Sequence, residues 1–219
     1  MSHSTPQAVL FDLDGTLLDT APDLLAALNY VLEKHDILPI DEVTFRPTVS
    51  DGSKAMLELG FGKHIKNIDF HSVKLAFLKK YESLGCTHST LFDGIETLLR
   101  VLELRNVKIA IVTNKPEFLA KPIVDCLPPL NRIPVVVCGD TLTRAKPHPD
   151  QLLLACEQLD VVPEKCWYVG DAERDVQAAK AAKMKAIVAL WGYVPSNEIA
   201  KRWNADQYAT NPSEIFHNI

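Results

Sequence analysis

The sequence predicts an α/β fold, a doubly wound parallel sheet with a small all-helical unit inserted after the first strand. Three observations carry that expectation. Apolar runs of strand length occur at residues 8–11, 107–112, 134–138, 166–169 and 185–190, with helical spacing between the later ones. Between Asp36 and Cys86 the pattern is helical and strand signals vanish. Several runs stop dead at polar or turn residues, and in a parallel sheet those ends face one crevice.

The first run, Ala8 to Phe11, ends at Asp12, and Asp14 and the turn pair Gly15-Thr16 follow. Leu24, Leu28, Val31 and Leu32 then recur at helical spacing over residues 20–34, with Thr20-Ala21-Pro22-Asp23 as a capping-box start. Asp19 reads as part of that helix entry. Pro39 and Pro47 interrupt the pattern, and further helices are expected at 52–59 and 69–84. The latter carries Phe70, Val73, Phe77, Tyr81 and Leu84 on one face, a core stripe.

After Asp93-Gly94 a helix is expected from Ile95 to Leu104, and the run at 107–112 then ends at Thr113-Asn114. The helix that follows, to about Leu127, should be disturbed by Pro122, which cannot donate within it. Lys146-Pro147-His148-Pro149 precedes a helix with Leu152, Leu153, Cys156 and Leu159 inward. The run at 166–169 stops at Gly170-Asp171, and a helix with Val176, Ala179 and Ala182 follows. Beyond Gly192 the chain is polar, with short helical pieces. Residues 1–17 and 90–219 are thus expected to form the α/β domain, and 18–89 the helical one.

With 219 residues the chain has room for one domain plus a smaller insert, and 47% hydrophobic and 23% charged residues are ordinary for a globular protein. A net charge of -5 argues against nucleic acid or an anionic membrane as partner. The amino terminus, MSHSTPQ, has no apolar core of a signal peptide, and no run approaches the about 18 apolar residues of a membrane span. Five cysteines without C-x-x-C spacing fit a reduced cytoplasm better than a disulfide framework.

Two acids spaced as Asp12 and Asp14 repel one another unless a cation lies between them, and with no Cys or His nearby the oxygen set favours magnesium over zinc. Four strand ends carry polar groups: Asp12 and Asp14, Thr113 and Asn114, Lys146, and Asp171 with Asp175. Plainer readings exist for each. Thr113 and Asn114 could cap the next helix, Lys146 could be a solvated loop lysine, and Asp175 could be a first-turn acid favoured by the helix dipole.

In this order, DLDGTLLD, the Thr-Asn pair, KPHP and GDAERD resemble the signature set of the haloacid dehalogenase-like phosphatases, from Ala8 to Leu190. The resemblance implies a Rossmann-like core with a small helical cap domain, in a cytoplasmic phosphomonoesterase acting on a small phosphorylated metabolite. It implies Asp12 as the nucleophile that forms an aspartyl-phosphate and Asp14 as the general acid and base. Mg2+ would be held by Asp12, the Asp14 backbone carbonyl and Asp171. Thr113 and Lys146, with donors around Gly15 and Asn114, would stabilise the transferring phosphoryl group, and Asp175 would support Lys146 or the metal's water.

Within that family DLDGTLLDTAPDL, VTNKP, KPHPD and GDAERDVQAAKAA resemble the phosphoglycolate phosphatases. SDGSKAM, TNKPEFLAKPI and RWNAD are closer to the N-acetylmuramic acid 6-phosphate phosphatases, and Asp51-Gly52 stands where phosphoglycolate enzymes often carry Asn-Gly. Sugar phosphomutases are also similar, but the helix after Thr20 lacks their histidine. A phosphoaspartate receiver domain would be about half this length, with adjacent first acids and no cap. In the loop from Arg46 to Lys54, those two cations are expected to meet a substrate carboxylate, while Asp51 or Ser53 could equally cap a helix. A monomer or homodimer is expected.

Overall fold

The computed structural model describes residues 5–216. Met1 to Ser4, part of the polar amino terminus read above, lie outside the described residues. In chain order the elements are β1 (Ala8–Phe11), β2 (Leu18–Asp19), α1 (Ala21–Glu33), α2 (Glu42–Phe45), α3 (Gly52–Phe61), α4 (Phe70–Leu84), β3 (Thr90–Leu91), α5 (Ile95–Leu104) and β4 (Lys108–Val112). There follow α6 (Glu117–Cys126), β5 (Val135–Val137), α7 (Asp150–Leu159), β6 (Cys166–Gly170), α8 (Glu173–Ala181), β7 (Lys185–Ala189), α9 (Asn197–Arg202), β8 (Gln207–Ala209) and α10 (Ser213–Phe216). The chain divides into two compact units, Met1–Leu18 with Leu91–Ile219, and Asp19–Thr90.

The first unit is a six-stranded sheet in the order β5-β4-β1-β6-β7-β8, parallel at every pairing. β1 lies inside it, with Ala8 opposite Lys108 on one side and Cys166 on the other. Its four residues are all fully buried, which suits a strand covered on both faces and explains the unbroken apolar run. Leu10, Ala110, Val112, Leu152, Tyr168 and Val188 belong to one continuous core.

One expectation is corrected in this unit. The tail past Gly192 is not merely helical, because Gln207–Ala209 adds an edge strand on β7. As expected from the pattern to about Leu127, α6 runs through Pro122, to Cys126. The proline sits in the second turn, where the cost is the donor missing for the carbonyl one turn earlier, and Leu119, Ala120, Ile123 and Val124 keep their buried face.

In the helical unit α1 packs against α4 and α3. Leu28 and Val31 of α1, Leu57 and Phe61 of α3, and Val73, Phe77 and Tyr81 of α4 are buried. The entry to α1 departs from a capping box: Thr20 makes no side-chain cap bond. Asp23 instead turns to the far end of the unit's chain, accepting from the Ser89 N–H at 2.7 Å and the Ser89 hydroxyl at 2.6 Å. A buried carboxylate satisfied this way fastens the segment after α4 to the start of α1. The two-residue strands β2 and β3, absent from the sequence reading, pair where the chain leaves and rejoins the sheet unit. Among the described residues no helix is long and apolar enough to cross a membrane.

Candidate active site

Asp12 is the first residue past β1, and its N–H continues the sheet bonding by donating to the Val169 carbonyl at 2.9 Å. Its carboxylate is buried. Oδ1 accepts from the Leu13 N–H at 2.8 Å and lies 3.1 Å from Lys146 Nζ. The Lys146 ammonium has no exposed surface. It also meets Asp175 Oδ1 at 2.8 Å, the Tyr168 hydroxyl at 2.7 Å and the Val112 carbonyl at 3.1 Å. A buried cation is tolerable only when so paired and bonded. Lys146 is therefore not a solvated loop lysine.

The backbone of Lys146 is pinned too. Its N–H donates to Asn114 Oδ1 at 3.0 Å, and Asn114 Nδ2 donates to its carbonyl at 2.9 Å. Gln151 joins this clasp, accepting from the Lys146 N–H at 3.0 Å while donating to the Cys138 carbonyl at 2.7 Å. Arg144 and Asp150 brace the same loop with contacts of 2.7 and 2.9 Å. Neither Thr113 nor Asn114 caps α6, whose first N–H is instead taken by Asp140 at 2.8 Å. The Thr113 hydroxyl is buried and accepts from the Lys115 N–H at 3.2 Å.

Asp171, just past β6, accepts from the Tyr193 N–H at 2.9 Å. Gly15, with φ of +77°, passes so close that a Cβ there would lie 2.1 Å from Asp171 Oδ2, so both conformation and space demand glycine. At Gly170 a Cβ would meet the Asp175 carboxyl carbon at 2.5 Å. Asp175 also accepts from the Ala172 N–H at 3.0 Å, half of a capping box, so its first-turn role and its grip on Lys146 coexist. Burial pushes the Asp175 carboxyl up from its usual range, with Lys146 opposing.

One carboxylate oxygen each from Asp12, Asp171 and Asp175 lies within 4.8 Å of the others, and all three residues are buried. Three carboxylates without His or Cys among the described residues make a donor set for a hard divalent cation. The sequence reading has Asp175 supporting Lys146 or the metal's water, and the 2.8 Å contact with Lys146 is of that kind. The Asp14 carboxylate faces elsewhere, 2.9 and 3.1 Å from Lys115 Nζ.

Arg46 and Lys54 belong to the helical unit. The Arg46 guanidinium is held by Asp19 at 2.9 Å and Glu42 at 2.7 Å, so Asp19 does more than open α1. Lys54 is 75% exposed, with Glu58 at 3.7 Å. Asp51 occupies the N-cap position of α3 without a side-chain cap bond.

The sequence reading missed Lys115, Tyr168, Gln151 and Arg174. Tyr168 reads as an ordinary strand aromatic, yet its hydroxyl donates to the Val112 carbonyl at 2.8 Å, and burial, then Asp175 and Asp12, push its pKa well up. Burial works against the charge of Arg174, but Asp175, Asp12 and Asp171 favour it. Lys115 gave one usable signal, a cation in the same strand-end tetrapeptide as Thr113-Asn114 in an acidic chain.

Residues 9–189 match the family model described as haloacid dehalogenase-like hydrolase. The chain is 44% identical over 211 residues to a phosphoglycolate phosphatase of Xanthomonas campestris pv. campestris, covering 96% of this chain and 95% of that protein. It is 37% identical over 215 residues to the N-acetylmuramic acid 6-phosphate phosphatase of Pseudomonas aeruginosa, covering 98% and 95%. The crystal structure of a predicted phosphoglycolate phosphatase from Haemophilus somnus 129pt has the same fold, with a TM-score of 0.86, 24% identity and 98% of each chain covered.

Proposed function

This chain belongs to the haloacid dehalogenase-like hydrolases and is a phosphatase of a small phosphorylated metabolite, and we propose that it works through an aspartyl-phosphate on Asp12, with 2-phosphoglycolate as first candidate substrate. The observation that supports this most is the buried Asp12 carboxylate, fixed by Lys146 at 3.1 Å and the Leu13 N–H at 2.8 Å at the carboxyl end of an interior strand. An oriented nucleophile with a desolvated cation beside it suits attack on a phosphate monoester.

Asp12 and Asp171, with the Asp14 backbone carbonyl, would hold Mg2+, whose charge offsets that of the phosphoryl group and the carboxylates around it. Asp12 attacks phosphorus through Oδ2, since Oδ1 is held by Leu13 and Lys146. As the bond from phosphorus to the ester oxygen breaks, Asp14 gives that oxygen a proton. It then takes one from the water that attacks phosphorus, which frees Asp12 and inorganic phosphate. Lys146 and the Thr113 hydroxyl balance charge on the transferring group, with Gly15 and Asn114 shaping the cradle. Asp175 keeps Lys146 in place.

N-acetylmuramic acid 6-phosphate is the second reading, favoured by the Pseudomonas relative and by the SDGSKAM, TNKPEFLAKPI and RWNAD segments. A cytoplasmic location fits either. The test is phosphate release from both esters with magnesium present, together with acid quenching and mass measurement of the Asp12 peptide. A phosphorylated Asp12 is expected, and turnover with no adduct under any quench argues for direct attack by water.

A further inference from the structure

We infer that Lys115 is a specificity-determining residue, whose ammonium reads an anionic group carried next to the ester-bearing carbon of the leaving alcohol, as in the phosphate ester of a short 2-hydroxy acid. The inference rests on the reading above, in which Asp14 serves the leaving group.

The placement of Lys115 is unusual for a lysine. Its side chain is 5% exposed, and Nζ lies 2.9 and 3.1 Å from the two oxygens of Asp14. Its backbone is fixed at both ends, the N–H donating to Thr113 Oγ1 at 3.2 Å and the carbonyl accepting from the Gly139 N–H at 2.9 Å. As acid and base, Asp14 must come within about 2.6–3.2 Å of the departing oxygen. A cation in contact with both oxygens of that carboxylate is therefore beside the leaving alcohol, whereas Lys146 serves Asp12. The two lysines divide the substrate between them.

The full positive charge of the ammonium would draw a substrate carboxylate brought beside Asp14, whatever else it already contacts. Its burial sharpens the choice, because charges attract more strongly out of water. In a chain of net charge -5, binding a dianion with a further negative group calls for placed cations. The carboxylate of 2-phosphoglycolate adjoins the ester-bearing carbon and would reach such a cation. That of N-acetylmuramic acid 6-phosphate hangs from the lactyl ether across the sugar ring and would not. Lys115 thus favours the shorter acid.

The experiment compares steady-state hydrolysis of 2-phosphoglycolate with that of 2-hydroxyethyl phosphate, which replaces the carboxylate by a neutral hydroxymethyl group. Wild type, Lys115→Met and Lys115→Arg are measured with magnesium present, each checked for a cooperative melt, and Lys115→Gln replaces the methionine variant if that fails to fold. Wild type should prefer the acid. Lys115→Met should lose roughly ten- to hundredfold of that preference, chiefly as a higher KM for 2-phosphoglycolate, and Lys115→Arg should retain it. An equal loss on both esters would show that Lys115 only holds Asp14, and it overturns the inference. So does a wild type that hydrolyses both without preference, although the phosphatase reading then stands. Hydrolysis of neither ester by wild type overturns the inference together with 2-phosphoglycolate as the substrate.

Discussion

The strand-end region and the helical unit each gather cations, and they hold them differently. Lys146 and Lys115 have 0% and 5% of their side chains exposed, and each grips an aspartate that comes from a different part of the chain. Arg46 and Lys54 are 31% and 75% exposed and pair with Glu42 and Glu58 along their own local helices, Arg46 also reaching Asp19. Desolvation makes the first kind of pair costly to break, and solvent makes the second cheap. Parallel strands deliver their ends to one crevice, so a polar residue there meets others from far along the chain. Helical loops impose no such convergence.

The largest test of this contrast is Asp12→Asn. The amide is no nucleophile, so turnover of any phosphate ester should fall below detection while the melting profile stays cooperative. Residual activity of more than a few per cent in a homogeneous preparation speaks against the covalent route. Next in size is Lys146→Met, which leaves Asp12 and Asp175 facing each other without their shared cation. It should lower unfolding stability by about 3–5 kcal/mol in urea titrations and abolish activity. A variant as stable as wild type would remove the distinction between the two regions.

Chelation comes third. Exhaustive removal of divalent metal should silence hydrolysis reversibly, with magnesium restoring it and calcium failing to, since a larger and looser coordination shell spoils the attack geometry. Unchanged rates in excess chelator contradict the assignment of the acidic cluster. The smallest effect belongs to Arg46→Ala. Loss of its half-exposed pairs should cost within about 1 kcal/mol, and any loss of preference for 2-phosphoglycolate should be smaller than that of Lys115→Met. If the order is reversed, the loop at residues 46–54 selects the substrate, as its cations suggested from sequence alone.

How far the chain was legible follows the same division. β1 and α5 begin and end where the pattern places them, because a buried strand or an amphipathic helix writes its burial into residue type. β8 was missed since Gln207-Tyr208-Ala209 is short, sits at an edge and is only partly buried. β2 and β3 have two residues each, too few for any period. Asp12, Asp14, Lys146 and Asp171 were legible as polar interruptions at strand ends. Their partners were not: Tyr168 and Gln151 look like strand and helix filler until the fold brings Lys146 to them from more than one direction. Lys115 was not singled out, because a lysine is most often exposed and residue type alone does not mark a buried one.

The interior position of β1 has a consequence for motion. It is bonded to β4 on one side and β6 on the other, so exposing all its amides requires both neighbours to separate. In native-state hydrogen exchange, the β1 amides should be among the slowest, opening only with the whole sheet, while β8 at the edge and the two-residue ribbon of β2 and β3 should exchange through local fraying. The aspartate proposed to receive the phosphoryl group would then be anchored to the last part of the molecule to come undone.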